Sequence, residues 1–160
     1  MAGRLDSRLD GRLAGIARHD RPKGAMETVA AVSITAALGV AGDYRGAMAA
    51  RKVTRKRQVS LIEAESWQAT LADLHATLEW HHARRNLLIT SLRLPRQPGT
   101  MVAIGTTLVI EIVDECDPCE RMEALVPGLR AAMTPDWRGG FLGRVVQDGD
   151  IAVGDDIRIL

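Results

Sequence analysis

A chain of 160 residues is enough for one domain that buries roughly two-thirds of its unfolded surface, so stability needs no disulfide staple. Its 21 Lys and Arg nearly cancel 20 Asp and Glu, and this formal charge of +1 excludes a general nucleic-acid coat. With only three Trp, one Tyr and one Phe, base-stacking platforms are not expected either, and the core must be aliphatic.

Residues 1–12 repeat a charged Gly-Arg-Leu pattern without an apolar signal region and read as a flexible leader. Residues 13–160 read as a single domain. The Ala-rich run from Val29 to Gly42 is too short for a membrane span, which takes about 18 apolar residues or more. A cytoplasmic protein with reduced thiols follows.

Strands are predicted from Leu13 to Ala17 and from Val29 to Ile34, followed by a glycine-punctuated turn, Gly39-Val40-Ala41-Gly42-Asp43. Residues 44–57, with Arg51, Lys52, Arg55, Lys56 and Arg57, read as a basic excursion loop. Gln58 to Ile62 gives a short strand. The main helix is predicted over residues 62–79, where Trp67, Leu71, Leu74 and Leu78 share one face. Its acidic start, Glu63 and Glu65, suits the helix dipole, and His81 and His82 suit its far end.

Short strands follow at Leu87–Ile89, Met101–Ile104 and Leu108–Val113, then two short helices, Cys119–Val126 and Leu129–Met133, parted by Pro127-Gly128. Strands at Phe141–Val146 and Ile157–Leu160 close the chain. Many short strands with glycine turns and one substantial helix predict a mainly β protein. The fold class is a closed or half-closed β-barrel with one main helix and a few short inserted helices.

The two cysteines stand together in Cys116-Asp117-Pro118-Cys119, just after a strand. A redox dithiol, half of a zinc site, one working thiolate and two inert buried thiols are all open readings. The βαβ setting of a redox pair is missing, and no second cysteine pair or suitably spaced histidines complete a zinc site. Cys119 is better placed than Cys116, because a thiolate there meets the start of the following helix. Arg57, Arg85 and Asn86 are candidates for holding an anionic, polar ligand, and Gly139-Gly140 allows close approach of a ligand or of another strand.

Taken in order, these pieces resemble the MOSC family, the molybdenum cofactor sulfurase C-terminal domain. They are Gly39-x-x-Gly42-Asp43, Arg57-Gln58-Val59-Ser60-Leu61-Ile62 with Glu65, Arg84-Arg85-Asn86, Ile104-Gly105 and Pro118-Cys119. Pro127-Gly128-Leu129, Arg138-Gly139-Gly140 and Gly149-x-Ile151-x-x-Gly154-Asp155 complete the series, from about Leu13 to Leu160. The resemblance implies a β-barrel with Cys119 at its functional centre, as catalytic residue and molybdenum ligand. It implies the molybdenum cofactor, molybdopterin, held by Arg57, Arg85, Asn86, Gly139 and Gly140, and reduction of N-hydroxylated compounds. A persulfide-carrying sulfur carrier in cofactor assembly, or a non-catalytic binding module, is the alternative it leaves. The chain reads as a bare domain, so electrons or sulfur would come from a separate electron-donor protein or a cysteine desulfurase. Pyridoxal phosphate belongs to fused relatives and is not expected here, nor is a nucleic-acid or membrane partner.

Overall fold

The computed structural model describes residues 10–45, 48 and 56–160; Arg51, Lys52 and Arg55 of the basic segment lie outside them. β1 (Gly11–Arg18) is followed by the short strands β2 (Glu27–Thr28), β3 (Ala31–Thr35) and β4 (Gly39–Val40). β5 (Val59–Glu63) leads straight into α1 (Ala64–Leu74), and β6 (Leu87–Thr90), β7 (Met101–Ile104) and β8 (Leu108–Glu115) come next. Two short helices, α2 (Glu120–Leu125) and α3 (Leu129–Met133), precede β9 (Phe141–Gln147), β10 (Gly149–Ala152) and β11 (Asp156–Ile159).

Seven strands in the order β11-β7-β8-β9-β5-β6-β1 form a barrel that closes where β1 pairs with β11, Gly11 opposite Ile157. The expected mainly β barrel with one main helix and short ones is therefore the fold. Only β5 and β6 run parallel in this ring, and α1 makes the crossover that a parallel pair requires. β3, β4 and β10 form a separate three-stranded sheet. No helix among the described residues is long and apolar enough to cross a membrane.

Alternation along the strands fills the barrel. Leu108, Ile110 and Ile112 of β8 face inward with Phe141 and Val145 of β9, Leu61, Leu87, Ile89, Val102 and Ile104. Strand β5 is buried on both faces, because α1 lies over its outer side. There Ile62 joins Trp67, Leu71, Met122, Leu129 and Met133 in a second core between barrel and helices. Each such side chain contributes about 1.5–3 kcal/mol on burial, which is what ties the short helix α2 to the barrel wall.

Several boundaries differ from the sequence reading, two of them with consequences for packing. β1 begins at Gly11, inside the expected leader, where Arg12 pairs with Thr90 and forms an ion pair with Asp156. The main helix ends at Leu74 rather than residue 79: His75 takes a left-handed conformation (φ 49°) and the chain turns back. Leu78 then rejoins the same core from the returning chain, and its carbonyl accepts a hydrogen bond from Trp67 Nε1 at 3.1 Å. His81 and His82 accordingly sit on a separate helical turn, Trp80–Ala83, and do not cap α1.

Candidate functional site

The Cys116–Cys119 loop is held by backbone contacts that reach across the barrel. Gly139 lies under it so closely that a Cβ would come within 2.5 Å of the Cys116 carbonyl and 3.2 Å of Pro118 Cδ. Gly140, at φ +106°, accepts a 2.8 Å hydrogen bond from the Cys116 amide, while its own Cα faces the Leu61 carbonyl of β5. Arg85 fastens the same corner from beneath. Its guanidinium donates to the carbonyls of Gly139 (2.7 Å), Ala83 (2.8 Å) and Cys116 (3.3 Å).

This packing makes the two cysteines unequal. Cys116 is fully buried and Cys119 is exposed at the start of α2, and neither is in a disulfide. Among the described residues no group of three or more His, Cys, Asp and Glu is placed to hold a metal ion, so the zinc reading finds no further ligands. The helix after Cys119 has six residues and carries Glu120 and Glu123, so its dipole adds little positive field. The field comes from guanidinium groups instead.

Cys119 opens into a cavity of about 340 Å³ whose wall carries Lys23, Arg45, Arg57, Arg84, Arg85 and Arg121, with His19, Tyr44 and Met122. No Asp or Glu is among these lining residues. Burial, together with repulsion from Arg121 and Arg45, lowers the Arg84 pKa, while Asp43 and Cys119 oppose that shift. Arg85 is also lowered, chiefly by burial; Cys116 and Cys119 act the other way. Six cations gathered on one wall, with Asp43 the carboxylate that acts on Arg84 from behind it, suit an anionic ligand.

The sequence candidates separate in space. Arg57 and Arg85 line the cavity with Cys119. Asn86 is buried in the barrel seam: its Oδ1 accepts from the Ser60 amide (3.0 Å) and hydroxyl (3.1 Å), and its Nδ2 donates to the Ala17 carbonyl. The polar groups of Asn86 and the close contacts of Gly139 and Gly140 thus go to the frame of the site rather than into the cavity. Glu63 does more than favour a helix start, because it receives a bidentate pair of 2.7 Å hydrogen bonds from Arg96 in the protein interior. Glu65 likewise accepts from Thr90 and Ser91, and these bonds lower its carboxyl pKa against the effect of burial.

Sequence reasoning named Asp43 as the end of a turn motif but gave neither it nor His19 a place at the site. Asp43 follows the Gly39–Gly42 turn, which Arg18 Nη1 secures through the Ala41 carbonyl at 2.9 Å. Its Oδ1 accepts the His19 amide at 3.0 Å and lies 3.3 Å from His19 Nδ1. Burial lowers the His19 pKa; Asp43 raises it, while Arg84, Arg45 and Arg121 lower it further, so the imidazole is neutral near pH 7. The available sequence signals were a histidine just past the end of a predicted strand and the Gly39-x-x-Gly42-Asp43 motif.

What these residues define is a cysteine-centred, cation-lined cavity on the rim of a seven-stranded barrel. The model of the MOSC domain matches residues 41–158, and the chain belongs to the MOSC family. That family is associated with molybdenum cofactor in general. No curated protein matches the sequence. Among solved structures, the fold is similar to the YuaD protein from Bacillus subtilis at a TM-score of 0.72 and 15% identity, over 93% of this chain and 94% of that one. YiiM from Geobacillus stearothermophilus is similar at 0.70 and 16% identity, over 94% of this chain and 75% of that one. YiiM from Escherichia coli gives 0.67 and 14%, over 93% and 69%. At these identities the likeness is one of fold.

Proposed function

We propose that the protein binds molybdenum cofactor, or an intermediate of it, in this cavity, with the Cys119 thiolate as metal ligand. The observation that carries the reading is an exposed thiol in a wall of six cations and no carboxylate. The residues fit the group. A thiolate is a strong, soft donor, and guanidinium forks match phosphate and other planar anions. Arg57 and Arg45 would hold the anionic part, while Arg85 keeps the Cys119 loop in place and adds buried positive charge.

When bound, the cofactor supplies two-electron oxygen-atom chemistry. The proposed reaction converts an N-hydroxylated compound to its N–H form and water, consuming two electrons and two protons. A separate donor protein provides the electrons. Neutral His19, whose backbone amide is held by Asp43 and whose Nδ1 lies 3.3 Å from that carboxylate, is the residue of the cavity wall suited to passing a proton.

The test is elemental analysis of protein made in a host that synthesises the cofactor. Molybdenum near one per chain, lost in Cys119→Ser, is the expected result. Equal molybdenum in Cys119→Ser, or none in the wild type, overturns the reading. A metal-free protein with a cyanide-labile adduct of one sulfur atom on Cys119 would point to a sulfur carrier supplied by a cysteine desulfurase.

A further inference from the structure

The Cys119 cavity does not end at its own wall. A second cavity of about 400 Å³ shares Lys23, Arg84 and Arg121 with it, so these three cations form a partition between two lobes of one cleft. The far lobe is built differently. It is lined by Met26, Leu125, His81 and His82, and the two imidazoles stack with centroids 4.6 Å apart. Leu125 is 42% exposed beside it, an apolar side chain with little protein over it.

The partition shows two further features. Lys23 and Arg84 both hold left-handed backbone conformations, at φ 58° and 63°, where glycine or asparagine would sit without strain. None of Lys23, Arg84 and Arg121 forms an ion pair among the described residues. This is not general to the protein. A cavity of about 460 Å³ on the Glu63 side pairs Arg93 with Asp136, Arg138 with Asp73 and the nearby Arg96 with Glu63. At the partition burial and then the neighbouring Arg121 and Arg45 lower the Arg84 pKa, and Asp43 offsets part of this.

We infer that the far lobe is a second binding site, for a phosphate monoester of a flat ring. The phosphate meets Lys23, Arg84 and Arg121, and the ring lies against the imidazoles, Met26 and Leu125. A doubly charged phosphate suits three converging cations better than a single carboxylate does, and the apolar and imidazole wall gives a ring the contact that free phosphate lacks. The lobe adjoins the cavity of Cys119, so it names the substrate class of the reaction proposed above. In that role it rests on that proposal, but the binding itself does not.

Binding is tested by calorimetric titration of the full chain and, in parallel, of Cys119→Ser, which removes the proposed metal ligand and leaves the far lobe intact. Phenyl phosphate is compared with inorganic phosphate, benzoate and benzyl alcohol. The expected order places phenyl phosphate about tenfold tighter than inorganic phosphate, the worth of one aromatic contact, and also ahead of benzoate. Benzyl alcohol should bind too weakly to measure. The variant His81→Ala/His82→Ala, in surface positions, should reduce phenyl phosphate to the affinity of inorganic phosphate. Leu125→Glu should weaken phenyl phosphate about threefold or more by replacing an apolar contact of the ring with a charge of the same sign as the ligand. Equal affinities for phenyl and inorganic phosphate, preference for benzoate, or indifference to His81→Ala/His82→Ala overturns the inference. Because Cys119→Ser carries the same lobe, loss of molybdenum binding alone leaves this result standing, and the two failures are distinguishable.

Discussion

Replacing Gly140 by alanine tests whether the thiol loop depends on close backbone approach, and three glycines of similar φ make the comparison clean. Gly140 has φ +106°, Gly99 +93° and Gly154 +101°, so alanine meets similar backbone strain at all three, about 1–3 kcal/mol. At Gly99 and Gly154 nothing lies within 4 Å of the new Cβ. At Gly140 it falls 2.1 Å from the Leu61 carbonyl oxygen, so about 1 Å of movement between β5 and the residues before β9 is needed. That movement strains the bonds from the Cys116 amide to the Gly140 carbonyl (2.8 Å) and from the Gly140 amide to the Trp137 carbonyl (3.0 Å), each worth about 1 kcal/mol. With overpacking of about 1–3 kcal/mol, Gly140→Ala should cost at least about 2 kcal/mol more than Gly99→Ala or Gly154→Ala. Urea unfolding measures this as a lower midpoint at unchanged slope. Because the lost bonds anchor Cys116, the alkylation rate of Cys119 should change in Gly140→Ala and stay at the wild-type value in the two controls. Stabilities of all three variants within about 0.5 kcal/mol of one another would refute the reasoning.

Two further outcomes follow from the same geometry. A thiol reagent should modify one cysteine in the native protein and two in denaturant, the native one vanishing in Cys119→Ser; fast native modification of buried Cys116 contradicts the loop as described. The lowered pKa of His19 makes stability depend on pH: it is full above about 6.5, falls as the unfolded chain takes up a proton that the native imidazole refuses, and levels below the folded-state value. His19→Gln should flatten the slope of unfolding free energy between about pH 5.5 and 7, where one group contributes at most about 1.4 kcal/mol per pH unit. Glu115, its carboxyl raised by burial and by Asp117, acts in the opposite direction and is common to both proteins. Parallel slopes would show that His19 does not titrate as its surroundings dictate.

Short-range patterns carried the fold. Alternation located most strands, the ordered glycines and the Arg84-Arg85-Asn86 run were enough for the barrel class, and the thiol singled out, Cys119, is the exposed one of the pair. What failed were inferences in which sequence neighbours were expected to act together. Arg84, Arg85 and Asn86 are consecutive, yet Arg84 lines the cavity, Arg85 lines it while stapling the thiol loop, and Asn86 closes the seam between β1, β5 and β6. The left-handed turn at Arg84 (φ 63°) redirects the chain between them. Leu78 fitted the helical period of Trp67 and Leu71 although it reaches their core from the returning chain. His19 and Asp43 are 24 positions apart, and only the closing of the Gly39–Gly42 turn onto the end of β1 brings them together.

The near-zero net charge was the least informative number in the composition, because the fold sorts the charges it averages over. Carboxylates collect on the Glu63 side, where Arg96, Arg93 and Arg138 are answered by Glu63, Asp136 and Asp73. Six cations on the Cys119 side face one another with no lining carboxylate. Segregating like charges in a half-buried wall costs stability that mixing them would not, so a fold under no other demand would mix them. Asp43 offsets part of that cost at Arg84, and an anion in the cleft would offset more. The ligand is therefore a stabiliser of this fold as well as its cargo, and it should raise the unfolding midpoint in proportion to the logarithm of its free concentration.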